Sequence, residues 1–319
     1  MKIYKILILS LLLSTFSYSN LRDEFPSYSY IFTEFNVNEK FIDNREFREF
    51  VHKNKKKYRK RFETAVKRGG LIVPMMKEIM YQRDISPVFL YISMVESAFD
   101  PKARSRTGAG GLWQFVVNTG AELKLTMNEH VDERYDPVRS TKAAIKYLYQ
   151  INSNLNNWYL TTMAYNCGNG CVNRAIERAG TRDLGVLMSS RNTYIKKETK
   201  KYIQKVLLMA MIGENYLFKT NDRVGELMYK MNRDGITPVR VRSGEKLETL
   251  ASVLNMNKYY LEKINAHLKR GHAPYVNSYK INIPTSKVEM FRRYYTQVQQ
   301  PRREYYSANK NLKLYARYR

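Results

Sequence analysis

The segment opening at Ser86-Pro87 constrains this chain most. A serine before a proline reads as a helix N-cap with proline at the first helical position. In the run that follows, Phe89, Ile92, Glu96 and Phe99 fall at i, i+3, i+7 and i+10 and share one helix face. The positions around them, Leu90, Tyr91, Met94 and Val95, are also large and mainly apolar. A helix apolar nearly all round must be enclosed by other elements. The spacing therefore predicts an interior helix, and it carries the carboxyl of Glu96 inside with it. Desolvation raises the pKa of a carboxyl group, the condition for donating a proton near neutrality. A structural glutamate satisfied by an arginine or a helix cap is the alternative that periodicity leaves open.

Helical signals dominate from about residue 71 to 218. Ala144, Tyr147, Leu148 and Ile151 fall at helical spacing, and Ile203, Val206, Leu207 and Met211 form another stripe. No β-alternation of comparable length interrupts them. Around Gly235 the texture changes. Val239-Arg240-Val241-Arg242 alternates like a strand, two short helical runs follow around Leu250 and Leu261, and Tyr279 to Pro284 alternates again. The expected fold class is mainly α, with a small α+β module at 236–286. Residues 20–74 read as an N-terminal helical extension. It begins with an irregular, aromatic-rich stretch to about Asp43 and carries a basic run from Lys53 to Arg61, read as a solvated helix face. The tail 287–319 is basic and rich in tyrosine, and is expected to be loosely ordered.

Lys2 and Lys5 precede an apolar run from Ile6 to Leu13, with small residues at Ser17 and Ser19. That layout predicts a signal peptide over 1–19 and a mature protein soluble in the periplasm or another exported compartment, with no membrane span. The only cysteines are Cys167 and Cys171, so none near the start is available for lipidation. Export permits a disulfide between them, and the intervening glycines leave both bridge and free thiols open. Fifty-five Lys and Arg against 29 Asp and Glu give a net charge of +26, which favours an anionic partner, and export disfavours nucleic acid in that role. His52, His130, His267 and His272 are scattered, so neither metal nor cofactor is expected.

Three glycines in four positions, Gly108, Gly110 and Gly111, precede Leu112-Trp113-Gln114. They permit a tight backbone close to a ligand, to which Trp113 would offer an apolar wall and Gln114 an amide; an ordinary glycine-rich turn is the alternative. Ala164-Tyr165-Asn166 before Cys167-Gly168-Asn169-Gly170 combines aromatic and amide groups suited to sugars. Taken in order and with their spacing, Glu96-Ser97-Ala98-Phe99, Ala103-Arg104-Ser105, Gly108 to Gln114 and Ala164-Tyr165-Asn166 resemble the motif set of family 23 lytic transglycosylases. Val131 to Arg134, Asp136-Pro137, Ser140-Thr141, Glu198-Thr199 and Tyr202 support the match, which covers roughly residues 75–215. Gly244 to Leu247, Asn265 and Tyr279 to Pro284 resemble a divergent LysM module, a family that binds glycans containing N-acetylglucosamine. Val117-Asn118 and Cys171 depart from the catalytic family's pattern, as does the absence of a lipidated cysteine.

The resemblance implies a lysozyme-like helical catalytic domain over 75–218 whose partner is peptidoglycan and which needs no cofactor. Glu96 would protonate the glycosidic oxygen between N-acetylmuramic acid and N-acetylglucosamine, then take the proton of the carbon-6 hydroxyl as it closes a 1,6-anhydro ring. Ser105 would bond near the acetamido group or the carboxyl. Gln114, Tyr165 and Asn166 would hold the sugar, Tyr202 would orient Glu96, and Ser97 would support the helix end. A hydrolysing glycosidase uses two carboxylates, and the resemblance supplies one; Asp100 and Asp132 have structural readings in turns. The rival readings are a goose-type lysozyme-like hydrolase, a non-catalytic wall-binding protein and a cationic nucleic-acid binder.

Overall fold

The computed structural model describes residues 20–218 and 234–296. The expected signal segment 1–19 and the part of the basic tail from 297 lie outside the described residues; the start of that tail, expected to be loose over 287–319, is instead helical over 288–296, held by the buried ring of Phe291. The chain begins with α1 (Leu21–Glu24), α2 (Tyr28–Glu34), α3 (Arg45–Arg68) and α4 (Ile72–Tyr81). Next come α5 (Leu90–Ser97), α6 (Val117–Glu122), α7 (Pro137–Leu155), α8 (Trp158–Cys167), α9 (Asn169–Ala179), α10 (Leu184–Met188) and α11 (Lys197–Phe218). The last region holds β1 (Ile236–Val241), α12 (Leu247–Val253), α13 (Lys258–Ile264) and β2 (Tyr279–Pro284). The fold is mainly α with one small antiparallel pair, in which Val239 lies opposite Ile281. Among the described residues no helix is long and apolar enough to cross a membrane.

Ser86 begins its helix as the sequence predicts: its Oγ accepts the Val88 N–H at 3.4 Å, and a 3₁₀ turn over Pro87–Phe89 leads into α5. Leu90, Tyr91, Ile92 and Met94 are buried, so α5 is an interior helix. It stops abruptly. Ala98 and Phe99 both adopt left-handed backbone, at φ 51° and 56°, which costs a residue with a Cβ about 1–2 kcal/mol. The fully buried ring of Phe99 and two serine bonds offset that cost. Ser93 and Ser97 both donate to the Leu112 carbonyl at 2.9 Å, tying the end of α5 to the glycine-rich loop.

Helix α11 packs on α5 at Gly213, where an added Cβ would lie 2.1 Å from the Tyr91 hydroxyl. That hydroxyl donates to Glu214 Oε1 at 2.8 Å. Gly213→Ala would gain about 1 kcal/mol of helix propensity in isolation. Overpacking against Tyr91 is expected to outweigh that gain and to lower Tm by roughly 3–8 °C. A thermal melt in which the alanine variant is the more stable protein would show that the helices are not in this close contact.

Residues 20–68 complete the core. The stretch read as irregular forms α1, α2 and a 3₁₀ turn because Phe25, Phe32 and Phe35 have an interior to fill. Ser27 Oγ donates to the Met211 carbonyl at 3.2 Å, Asn215 Nδ2 donates to the Glu24 carbonyl at 3.1 Å, and Phe62 stacks on Tyr216 with centroids 5.4 Å apart. Helix α3 is thereby fixed alongside α11. The cysteines are bonded to each other, Cα to Cα 5.8 Å. Gly168 breaks α8 from α9 with a positive φ of 86°, and this turn brings Cys171 back to Cys167.

The C-terminal module is docked on the loop before α7. Asp132 N–H donates to the His267 carbonyl at 2.9 Å, and Lys269 N–H to the His130 carbonyl at 3.0 Å. Asp136 caps α7 by accepting the N–H groups of Val138 and Arg139 at 2.9 and 3.0 Å. The same carboxylate accepts Asn282 Nδ2 at 3.2 Å and lies 3.5 Å from the fully buried His267 ring. Burial pushes the His267 pKa down, against the opposing pull of Asp136, so the ring is neutral at neutral pH.

Candidate active site

Glu96 sits in the last turn of α5 and opens onto a groove of ≈ 630 Å³. Tyr58, Lys60 and Arg61 of α3 form one wall, the Ala103–Ser105 loop and Gln114 another, and Lys205 and Met209 of α11 a third. Glu96 is the only carboxylate among the described residues that line it. One face of its side chain stays open to the groove while dense protein surrounds the rest. Burial pushes its pKa up to about 7; the Tyr202 hydroxyl and the charge of Lys205 pull it down, and Glu198 pushes it up. A carboxyl of that kind is protonated in about half the molecules at neutral pH, poised both to give and to take a proton.

Tyr202 is buried behind Glu96, and its hydroxyl lacks a partner in strict hydrogen-bonding geometry among the described residues. Its interaction with Glu96 is nonetheless strong enough to lower the carboxyl pKa, while burial and then the Glu96 charge raise the pKa of the phenol well above its usual value. Tyr165 is the second phenol at this carboxyl, raised by burial and by Glu96, and it donates to the Trp113 carbonyl at 2.6 Å. Ser105 lines the groove, with its Oγ accepting the Ala109 N–H at 2.9 Å. Gln114 also lines it, at a positive φ of 50°. Its Nε2 is committed to the Gly111 and Ala103 carbonyls at 2.9 and 3.2 Å, which leaves Oε1 to accept from a ligand. Asn166 stands further back, where its Oδ1 accepts Thr199 Oγ1 at 2.7 Å and ties α8 to α11.

Trp113 is no groove wall. It is fully buried, and its indole N–H donates to Thr141 Oγ1 at 3.0 Å. The core required that apolar bulk, and the turn set by the glycines points it inward. Those glycines are needed on steric grounds: a Cβ on Gly111 would lie 1.9 Å from the Arg134 carbonyl oxygen, and one on Gly110 2.6 Å from the Tyr135 ring. Arg134 organises the loop. Its fork grips Asp132 at 3.0 and 2.7 Å, and its remaining nitrogen donates to the carbonyls of Gly108 and Phe115 at 2.8 and 3.1 Å. Sequence reasoning missed the groove positions of Lys60, Arg61 and Lys205. Tyr202, Lys205 and Met209 recur at i, i+3 and i+7 on α11, a signal that would have found Lys205; the approach of α3 leaves no such trace.

A second cleft, of ≈ 470 Å³, lies between α4, α7 and β1. Its two carboxylates are already engaged, Asp234 by the backbone N–H of Ser286 at 3.0 Å and Glu78 by Gln82 at 2.6 Å. The groove around Glu96 is therefore the better candidate for proton chemistry.

Comparison with known proteins finds relatives for part of the chain. Residues 74–186 match the family model described as the transglycosylase SLT domain. The chain is 30% identical over 190 residues to membrane-bound lytic murein transglycosylase D of Escherichia coli K12, a match spanning 59% of this chain and 40% of that protein. It is 28% identical over 136 residues to membrane-bound lytic murein transglycosylase F of Stutzerimonas stutzeri, covering 40% of this chain and 24% of the relative. Among solved structures, the lytic transglycosylase Slt of Pseudomonas aeruginosa aligns over 47% of this chain and 25% of its own, with 26% identity and a TM-score of 0.38. The chain thus spans less than half the length of these relatives.

Proposed function

We propose, from the match of residues 74–186 to the transglycosylase SLT domain family and the chemistry of the groove, that the protein is a peptidoglycan lytic transglycosylase whose reacting group is Glu96. The observation that carries this reading is the groove's chemistry: one carboxyl, with a pKa near 7, and no second carboxylate among the described lining residues. Protonated Glu96 gives its proton to the β-1,4 glycosidic oxygen as the bond from the muramyl anomeric carbon breaks. The 2-acetamido group of the same sugar stabilises the cationic centre. Glu96, now ionised, takes the carbon-6 hydroxyl proton while that oxygen bonds to the anomeric carbon, and the strand ends in 1,6-anhydro-N-acetylmuramic acid. Intramolecular attack draws on proximity in place of a positioned water. A single group near neutral pKa serves both half-steps.

In this reading Ser105 and the free amide oxygen of Gln114 hold the sugar, Tyr165 and Tyr202 position Glu96, and Asn166 supports the site through Thr199. The segment 1–19 directs export, and the βααβ module, resembling LysM, adds glycan contacts. Glu198 gives the hydrolase alternative its one foothold, since its charge is felt at Glu96. Mass spectrometry of products from purified sacculi separates the two. We expect anhydro ends, unchanged in kind by Glu198→Gln. Reducing ends that vanish in the Glu198 variant would establish hydrolysis instead.

A further inference from the structure

Four cations face the groove: Lys60 and Arg61 of α3, Arg104 of the loop and Lys205 of α11. Among the described residues none of the four forms an ion pair. Elsewhere on α3, Lys55 and Arg59 reach Glu24 at 2.6 and 2.9 Å and Arg68 lies 3.7 Å from Asp100, while Lys56 and Lys57 are unpaired among the described residues but lie outside the groove; what sets the four apart is that they gather in one cleft. The wall also has structure. Arg61 is held over the ring of buried Tyr58, 5.4 Å from its centroid, and α3 is locked to α11 by the Phe62–Tyr216 stack. Three of the four cations lie outside the matched residues 74–186, Lys60 and Arg61 on α3 and Lys205 on α11, so the N-terminal segment supplies half of this wall. Uncompensated like charges gathered in one cleft focus an attractive field on an anionic group entering it.

We propose that this cationic wall binds a carboxylate on the side branch of the muramyl residue and so selects glycan strands by that branch. The carboxylate belongs either to the lactyl group or to the peptide attached to it. The proposal rests on the functional reading above. It also bears on the acid. Lys205 lowers the proton affinity of Glu96, and a ligand carboxylate beside Lys205 offsets that pull, so the seated substrate keeps Glu96 protonated until the bond breaks.

The full chain is assayed on three strands: strands with peptide stems, strands stripped by an amidase so that only the lactyl carboxylate remains, and stripped strands with that carboxylate converted to a neutral methylamide. Replacing Lys60 and Arg61 together by alanine is expected to raise KM roughly tenfold to a hundredfold on carboxylate-bearing strands, with kcat little changed. It should change nothing on the neutral strand. Lys60→Arg with Arg61→Lys should restore most of the loss. Replacing Lys56 and Lys57, exposed on the same helix outside the groove, removes the same charge and is expected to leave KM within about twofold. A penalty on stripped strands assigns the contact to the lactyl group, and a penalty on stem-bearing strands alone assigns it to the peptide. Equal losses on all three strands, no loss on any, or the same loss from the Lys56/Lys57 pair overturns the wall. Binding of the strands to the Glu96→Gln protein reads the wall without turnover. If wild type cleaves no strand while binding still follows the carboxylate, the activity is wrong and the wall stands.

Discussion

Glu96→Gln is expected to cut the release of anhydro-ended products by roughly a thousandfold or more while leaving the fold intact, since general acid–base catalysis by one group supplies about 10²–10⁴-fold and this group acts twice. Glutamine matches the shape of glutamic acid but can neither give nor take the proton. The groove lining holds no other carboxyl among the described residues to substitute for it. A second readout follows from the raised pKa. In the unfolded chain the carboxyl ionises near its ordinary value of 4.5, and in the fold near 7. The folded state therefore holds its proton more tightly, and the stability this gives is present at low pH and lost as pH rises from 4.5 through 7. Above that window the wild type carries a buried carboxylate whose cost the glutamine variant escapes. The stability gained by Glu96→Gln should be larger at pH 8 than at pH 5, by about 2 kcal/mol. Denaturant melts of the two proteins at both pH values, beside product quantification, test both halves. A variant that keeps full activity, or one whose stability difference is flat with pH, would remove Glu96 from the role assigned to it.

The largest loss of stability is expected from Arg134→Met, about 3–5 kcal/mol, because it leaves Asp132 buried without its counter-charge. Both side chains are nearly inaccessible, at 8% and 10% of their surface, so solvent screens the pair little. The same substitution frees the carbonyls of Gly108 and Phe115 that the guanidinium holds. Ser105 and Gln114 sit on the loop so released, and activity should fall with stability. Lysine will not rescue, since it lacks the planar fork that spans both oxygens of Asp132 while reaching two carbonyls. Asp132→Leu combined with Arg134→Met should recover part of the loss, since it removes the stranded charge but not the orphaned carbonyls. Thermal melts of the single and double variants decide it; a single variant within about 1 kcal/mol of wild type would show that the pair contributes little.

The interior helix was legible because apolar residues on every face of a short segment leave few other folds, and Ser86-Pro87 marks its start. Glu96 was legible for the same reason. The strand–helix–helix–strand order after Gly235 could be read from alternation giving way to helical spacing. Trp113 was misplaced because a tryptophan beside a glycine turn reads alike whether it faces a ligand or the core, and only the direction set by Gly111 and Arg134 separates the two. The cysteine pair stayed open because its distance depends on one glycine torsion, at Gly168. The short helices between Leu21 and Asp43 escaped notice because their aromatics follow no single period; each fills a space that α3 and α11 define. Lys60 and Arg61 are solvent-facing, as the basic run suggested, and only tertiary packing places that exposed face on the groove it shares with Lys205.

Asp136 starts α7 and at the same time holds Asn282 of the terminal module. Two residues earlier, Arg134 grips the loop that carries Ser105 and Gln114. Module, joint and loop therefore share one short stretch of backbone, through which a change in one can reach the others. If a sugar seated on the module tightens the joint, the loop beside Glu96 tightens with it. Reciprocity then requires that a strand held in the groove raise the module's affinity by the same factor. A binding unit on a slack tether would add only local concentration; one built onto the cap of α7 would, given the glycan binding proposed for it, make each contact with the strand conditional on the other.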